Sequence, residues 1–205
     1  KRLVINRETM EEKLGRDWQT LRVAFKPFPV CAFNQTPVTA ALKLRDQIIT
    51  DRIKSVTVKM NPYECGYAGM GSTGPFTSIS GTLISIPFCI ALTLVRGTPT
   101  MRNMTTFDDS EVNALEKRVT LSPDPDVPVL SCRLLVTLDD DAALDLDCPM
   151  TPADYAYDFK EMTRRLKVLA TGEGLDPSAI ERLGEFSADP DHVPLAQVFR
   201  VYHGS

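Results

Sequence analysis

The chain has 205 residues, 43% of them hydrophobic, enough for one good-sized domain or one small domain with an attached segment. A formal net charge of −4 and the lack of any long Lys/Arg run argue against nucleic acid or an anionic membrane as the main partner. Five scattered cysteines with no Cys-x-x-Cys pair read as reduced thiols in a cytoplasmic setting, and two histidines, His192 and His203, leave the preceding residues without a His-based metal centre or triad.

The sequence opens Lys1-Arg2-Leu3, without initiator Met or signal-peptide pattern, and reads as a piece of a longer chain. Glu8 to Leu14 favour a short helix capped by Gly15, and Trp18 to Phe25 read as a strand. Then comes Phe25-Lys26-Pro27-Phe28-Pro29-Val30-Cys31, with Pro37 shortly after. Pro27, Pro29 and Pro37 fix φ and hold Lys26, Phe28 and Thr36 extended. The result is a rigid aromatic turn that carries one cation.

Thr36 as N-cap and Pro37 at the first helical position predict a helix to about Thr50, with Val38, Ala41, Leu42, Ile48 and Ile49 on one face. From Ile53 the period is two, and Val56, Val58 and Met60 mark a half-buried strand. A glycine-rich loop over 61–75 precedes an apolar helix from about Thr77 to Arg96, which Gly81 or Pro87 can kink and Gly97 ends. It is too short and too interrupted for the roughly 20 apolar residues of a membrane span. A short helix over Ser110–Lys117, a strand over Val119–Leu121, and a hairpin joining Cys132–Leu138 to Leu144–Cys148 follow. After Pro149 the pattern is helical: Tyr155, Phe159, Met162, Leu166 and Leu169 share one face, with further pieces near Pro177–Phe186 and Leu195–Tyr202. The expected class is α+β, with about five strands and two long helices, then a helical tail.

Each candidate site has a plainer reading. Gly69-Met70-Gly71-Ser72-Thr73-Gly74 matches G-x-G-x-x-G, but the preceding strand ends near Met60 and no acidic residue stands about 20 positions on, so dinucleotide binding is disfavoured. What remains is a loop of backbone N–H groups able to hold a carboxylate, or a simple connection. Lys26 is either a solvated lysine or, if buried among Phe25, Phe28 and Phe33, an acid/base group whose charge is disfavoured. Cys31 reads better as a small packed residue than as a reactive thiol. The run Asp139 to Asp147 has no EF-hand spacing and reads as a solvated hairpin.

Three stretches together are more specific. Lys26-Pro27-Phe28-Pro29-Val30-Cys31 with Ala40-Ala41-Leu42, then Gly74-Pro75-Phe76-Thr77-Ser78 leading to Ser85-Ile86-Pro87-Phe88-Cys89-Ile90-Ala91 and Arg96-Gly97, then Val119-Thr120-Leu121 with Pro123-Asp124-Pro125, resemble the MmgE/PrpD family. That family contains 2-methylcitrate dehydratase, cis-aconitate decarboxylase and iminodisuccinate epimerase. The resemblance implies an interdomain cleft between a large helical domain and a smaller α+β lid. Residues 1–15 would be a linker, 16–148 a mixed-sheet lid, and 149–205 a helical tail packing on an N-terminal helical half absent from this chain. It further implies a homodimer, no cofactor, no metal, and proton transfer α to a carboxylate of a small di- or tricarboxylate, followed by elimination.

Lys26 matches the family's lid lysine, expected to bind the substrate or carry a proton. Cys31, Gln35, Gly69, Gly71 and Phe88 complete the expected substrate wall. Three departures stand out: Cys31 replaces the His of decarboxylase-like members, Gln35 replaces a His common in the family, and Phe88 replaces a frequent Tyr. The first counts against decarboxylation. A non-catalytic or scaffolding chain and an epimerase of an imino or amino dicarboxylate are the rival expectations.

Overall fold

The structure, a computed structural model, describes residues 11, 12, 14–18, 20, 23–192, 194 and 196. The helix expected over Leu195–Tyr202 lies almost wholly outside the described residues. At the other end Glu11 and Glu12 are helical, and Gly15 follows with φ +73, the left-handed backbone expected of a C-cap.

The class is α+β, as expected, around one four-stranded sheet. Its strands are β1 (Ile53–Met60), β2 (Val119–Pro123), β3 (Cys132–Leu138) and β4 (Ala143–Cys148), in the order β2-β1-β3-β4. β1 runs parallel to β2, with Val56 opposite Val119, and antiparallel to β3, with Val56 opposite Val136. β3 and β4 form the predicted hairpin, with Leu134 opposite Leu146. Period-two alternation sends Val56, Val58, Met60, Leu134 and Val136 to one fully buried face. The other face is half-exposed, and there Arg133 pairs with Asp145 while Lys59 reaches Asp124 at 3.4 Å.

Two helices cover the buried face. Helix α1 (Gln35–Arg45) packs on β3 and β4, and an apolar helix packs on α1 and on β2. Between β1 and that second helix lies a one-turn helix α2 (Pro62–Cys65). The apolar stretch is broken in two, α3 (Ile79–Ile84) and α4 (Ile86–Arg96), at Ser85, whose side chain accepts from Phe88 N and so caps α4 with Pro87 in its first turn. Every residue from Ile86 to Leu94 is buried, so α4 is the central rod of the core. Gly97, at φ +89, ends it as expected. Then come α5 (Met101–Met104), α6 (Ser110–Glu116), and, after β4, α7 (Phe159–Gly172) and α8 (Pro177–Ala188).

Three expectations need correction. Among the described residues of Trp18–Phe25 none is in a strand: Val23 to Lys26 have no regular structure, and Phe25 N makes a single bridge to Tyr155 O at 2.9 Å. Among the described residues the sheet therefore has four strands. Helix α1 begins at Gln35, after a 3₁₀ turn over Ala32–Asn34, and ends at Arg45 well short of Thr50, leaving Ile49 66% exposed. Tyr155 leaves the tail face predicted for it. It lies in a separate 3₁₀ turn (Pro152–Tyr155), buried, while Phe159 and Leu166 stay exposed on α7.

Candidate functional site

The proline turn folds back on itself through one side chain. Gln35 is 2% exposed; its Oε1 accepts from Phe28 N at 3.1 Å and its Nε2 donates to the carbonyls of Phe28, Val30 and Cys31 at 3.0, 3.0 and 3.3 Å. Both ends of the amide are thus committed to backbone that the prolines leave without regular partners. Gln35 is a clamp, and this is why the turn holds one shape.

The next residue upstream ties the turn to α3. Asn34 Nδ2 reaches the carbonyls of Leu83 and Ile84 at 3.0 and 3.1 Å and Cys89 Sγ at 3.2 Å, while Cys31 N donates to Leu83 O at 2.9 Å. The glycine loop docks on the same break: Ser85 Oγ donates to Ser72 O at 2.6 Å and Ile86 N to Met70 O at 2.9 Å. Phe33 completes the junction, edge-on to Tyr63 and Tyr67 with ring centroids 6.0 and 5.7 Å away. Thus the proline turn, α2 and the glycine loop form one continuous surface.

A cavity of about 170 Å³ opens beside the turn, lined by Lys26, Gln35, Phe25, Leu130, Pro152 and Tyr155 among others. Lys26 is exposed and has no ion-pair partner among the described residues. It stands at the mouth of an apolar recess and is not enclosed by Phe25, Phe28 and Phe33. Across from it, Thr36 Oγ1 donates to Leu130 O at 2.5 Å. Its single proton being used there, the Tyr155 hydroxyl is the donor in the 2.6 Å contact with Thr36 Oγ1. Burial pushes the Tyr155 phenol up, so it stays neutral.

Leu130 has φ +67, a conformation that costs a branched residue about 1–3 kcal/mol. It is held from both sides, by Thr36 at its carbonyl and by Glu64 at its N–H, where Glu64 Oε1 accepts at 2.9 Å. Glu64 is fully buried, its Oε2 lacks a hydrogen-bond partner among the described residues, and desolvation raises its pKa above the ordinary carboxylate range. A second buried carboxyl, Glu116, accepts from Gly74 N at 2.8 Å beside the cis Gly74–Pro75 bond and is raised for the same reason.

Of the expected wall, the structure brings Lys26 and Gln35 to one cavity. Cys31 is half-buried at the end of the turn, with its backbone tied to α3. Gly69 and Gly71 are exposed in the adjoining loop and do not line the cavity. Gly69 has φ +91, and a Cβ there would meet Ile84 Cγ2 at 2.8 Å, so this glycine serves the close approach of loop to helix. Phe88 is fully buried, edge-on to Phe76 at 5.5 Å; its placement on the substrate wall is corrected, because it has no surface to offer a ligand. Asn34, Glu64, Glu116 and Tyr155 are the residues that sequence reasoning missed. Among the described residues no group of three or more His, Cys, Asp or Glu could hold a metal ion, and no helix is long and apolar enough to cross a membrane.

Such a helix-covered mixed sheet, with a clamped proline turn presenting a lysine at one end, defines a small α+β domain built to display that turn. The family model of the MmgE/PrpD C-terminal domain matches residues 28–148, from Phe28 in the turn to the last residue of β4. That is more than half of the chain, which therefore belongs to the MmgE/PrpD family, a family that includes dehydratases and other lyases. No curated protein matches the sequence.

Proposed function

We propose that this chain is the lid-bearing part of a cofactor-independent lyase resembling 2-methylcitrate dehydratase, acting on a small di- or tricarboxylate. The observation that carries the reading is Lys26: an exposed cation, set on a turn rigidified by prolines and by Gln35, at the mouth of a recess. Its role is to bind a substrate carboxylate by a charge-assisted hydrogen bond. At about 170 Å³ the recess is smaller than the roughly 300 Å³ at which ligand pockets begin, so it takes one arm of a substrate. A helical half contributed from outside this chain would supply the opposing wall and the base, and the tail would pack on it.

The test is turnover of 2-methylcitrate, citrate and cis-aconitate by the protein with any upstream coding sequence included. Lys26→Ala is expected to lower kcat/KM by about 10- to 150-fold, the equivalent of one hydrogen bond to a charged group, with Tm unchanged. Unaltered turnover in Lys26→Ala would sink the reading. Solvent deuterium entering the α-carbon without alkene formation would move the reaction to epimerisation. A non-catalytic role is favoured by one observation, that Gln35 is spent on backbone and Phe88 on the core; an upstream frame encoding no helical half would support it.

A further inference from the structure

The β3–β4 register sets two cysteines opposite each other. Cys132, the first residue of β3, is the partner of Cys148, the last of β4. Directly opposed Cα atoms on antiparallel strands lie about 4.5 or 5.5 Å apart, inside the roughly 4.4–6.8 Å that a disulfide spans. Both side chains lie on the face that α1 covers, and from α1 Lys43 brings Nζ to 3.8 Å from Cys148 Sγ. Both cysteines are buried, at 2% and 1% exposure, and they line an open-sided depression of about 350 Å³ whose rim carries Asp126 and Asp147, which gives a small molecule its approach.

We infer that Cys148 and Cys132 form a peroxide-sensitive dithiol, with Cys148 as the attacking sulfur, Cys132 as the resolving one and Lys43 as the cation that favours the thiolate. In the first step the Cys148 thiolate attacks one oxygen of hydrogen peroxide; an S–O bond forms, the O–O bond breaks, and the departing hydroxide takes a proton to leave as water. In the second, Cys132 sulfur attacks the Cys148 sulfur; the S–O bond breaks and hydroxide leaves with the Cys132 proton as a second water. Two thiols and one peroxide become a disulfide and two waters. A small neutral oxidant suits the site, since the acidic rim disfavours an anion such as oxidised glutathione.

The charges around the pair support the division of roles. The hydrogen bond from the Cys132 thiol, aided by Lys43, outweighs burial and the nearby Asp154 to hold Cys148 below the ordinary thiol range. The same hydrogen bond, with burial, Cys148 itself and Glu64, pushes Cys132 up. Tyr155, also adjacent, is held neutral by burial. Two other thiols shift the opposite way to Cys148: burial pushes Cys89 up to about 12 and raises Cys65.

The reduced chain is treated with hydrogen peroxide at pH 7, alkylated with iodoacetamide, digested and read by mass spectrometry. The expected product is a Cys132–Cys148 linked peptide, with Cys31, Cys65 and Cys89 still alkylated. Cys132→Ser and Cys132→Ala are both expected to leave Cys148 as a sulfenic acid that dimedone captures, and either variant serves if the other fails to fold by circular dichroism. Alkylation of Cys148 is expected to level off at a lower pH than that of an ordinary thiol, and Lys43→Met to move its midpoint upward. The inference is overturned if peroxide links another pair instead, if oxidised glutathione forms a stable adduct on Cys148, or if Cys148 alkylation is still climbing through pH 8.5 like an ordinary thiol.

Discussion

Replacing Gln35 by Met keeps the length of the side chain and removes every polar contact it makes. Phe28 N loses its acceptor, and the carbonyls of Phe28, Val30 and Cys31 lose a shared donor. A buried backbone group without a partner costs about 1–3 kcal/mol, and water reaching the outer part of the turn recovers some of that. The expected loss is about 2–4 kcal/mol, or roughly 5–15 °C in Tm for a chain of this size. Thermal unfolding measures it, with Lys26→Ala as the control that removes a solvated charge and leaves stability unchanged. If Gln35→Met unfolds within about 2 °C of the parent, the clamp is not what shapes the turn and the rigid presentation of Lys26 loses its basis.

Other consequences follow from burial and space. Phe88→Ala removes a fully buried ring from the first turn of α4 and is expected to cost about 3–5 kcal/mol by chemical denaturation. Gly69→Ala meets both a positive φ and Ile84, so it is expected to destabilise by about 1–3 kcal/mol, whereas Gly71→Ala, with open space around its Cβ, is expected to stay within about 0.5 kcal/mol in the same assay. Glu64 and Glu116 both have raised folded-state pKa values, so the folded protein holds protons that the unfolded chain releases. Their contribution is therefore most favourable below the unfolded value near 4.3 and is lost as pH rises through the raised folded values. Glu64→Gln, which keeps the acceptor for Leu130 N, is expected to flatten the stability difference between pH 4.5 and 7 relative to the parent; an unchanged difference refutes the burial argument.

The sheet was legible because strand alternation is local: Val56, Val58 and Met60, or Cys132, Leu134 and Val136, announce a buried face without reference to anything else. An interruption of the apolar helix, expected at Gly81 or Pro87 and found at Ser85, and the stop at Gly97 were legible for the same reason, since Pro and Gly act through their own backbone. Trp18 to Phe25 misled because Val23 and Phe25 alternate like a strand, yet among the described residues Phe25 N bonds to Tyr155 O and none of this stretch joins the sheet. Ile48 and Ile49 continue the α1 period, but the chain leaves the helix at Asp46 to enter β1. At the site, Lys26 was visible through its prolines, whereas Glu64 and Glu116 were not. Their environment is set by Leu130 and Gly74, partners 66 and 42 residues away in sequence, and no local pattern records such a pairing. Tyr155 fitted a helical stripe equally well on paper; its hydroxyl contact with Thr36, 119 residues distant, decided otherwise.

The hairpin also bears on how copies of this chain meet. β4 is an edge of the sheet, six residues long, with Asp145 and Asp147 on its solvent side and both drawn to Arg133 of β3. A second copy adding its own β4 antiparallel, in a register centred on Leu146, would set Asp145 against Asp147 twice over. Like charges directly opposite each other oppose such pairing, and Arg133 is already committed within each copy. Growth of the sheet along this side in that register is thus opposed by charge, whereas β2, the opposite edge, carries no such acidic pair.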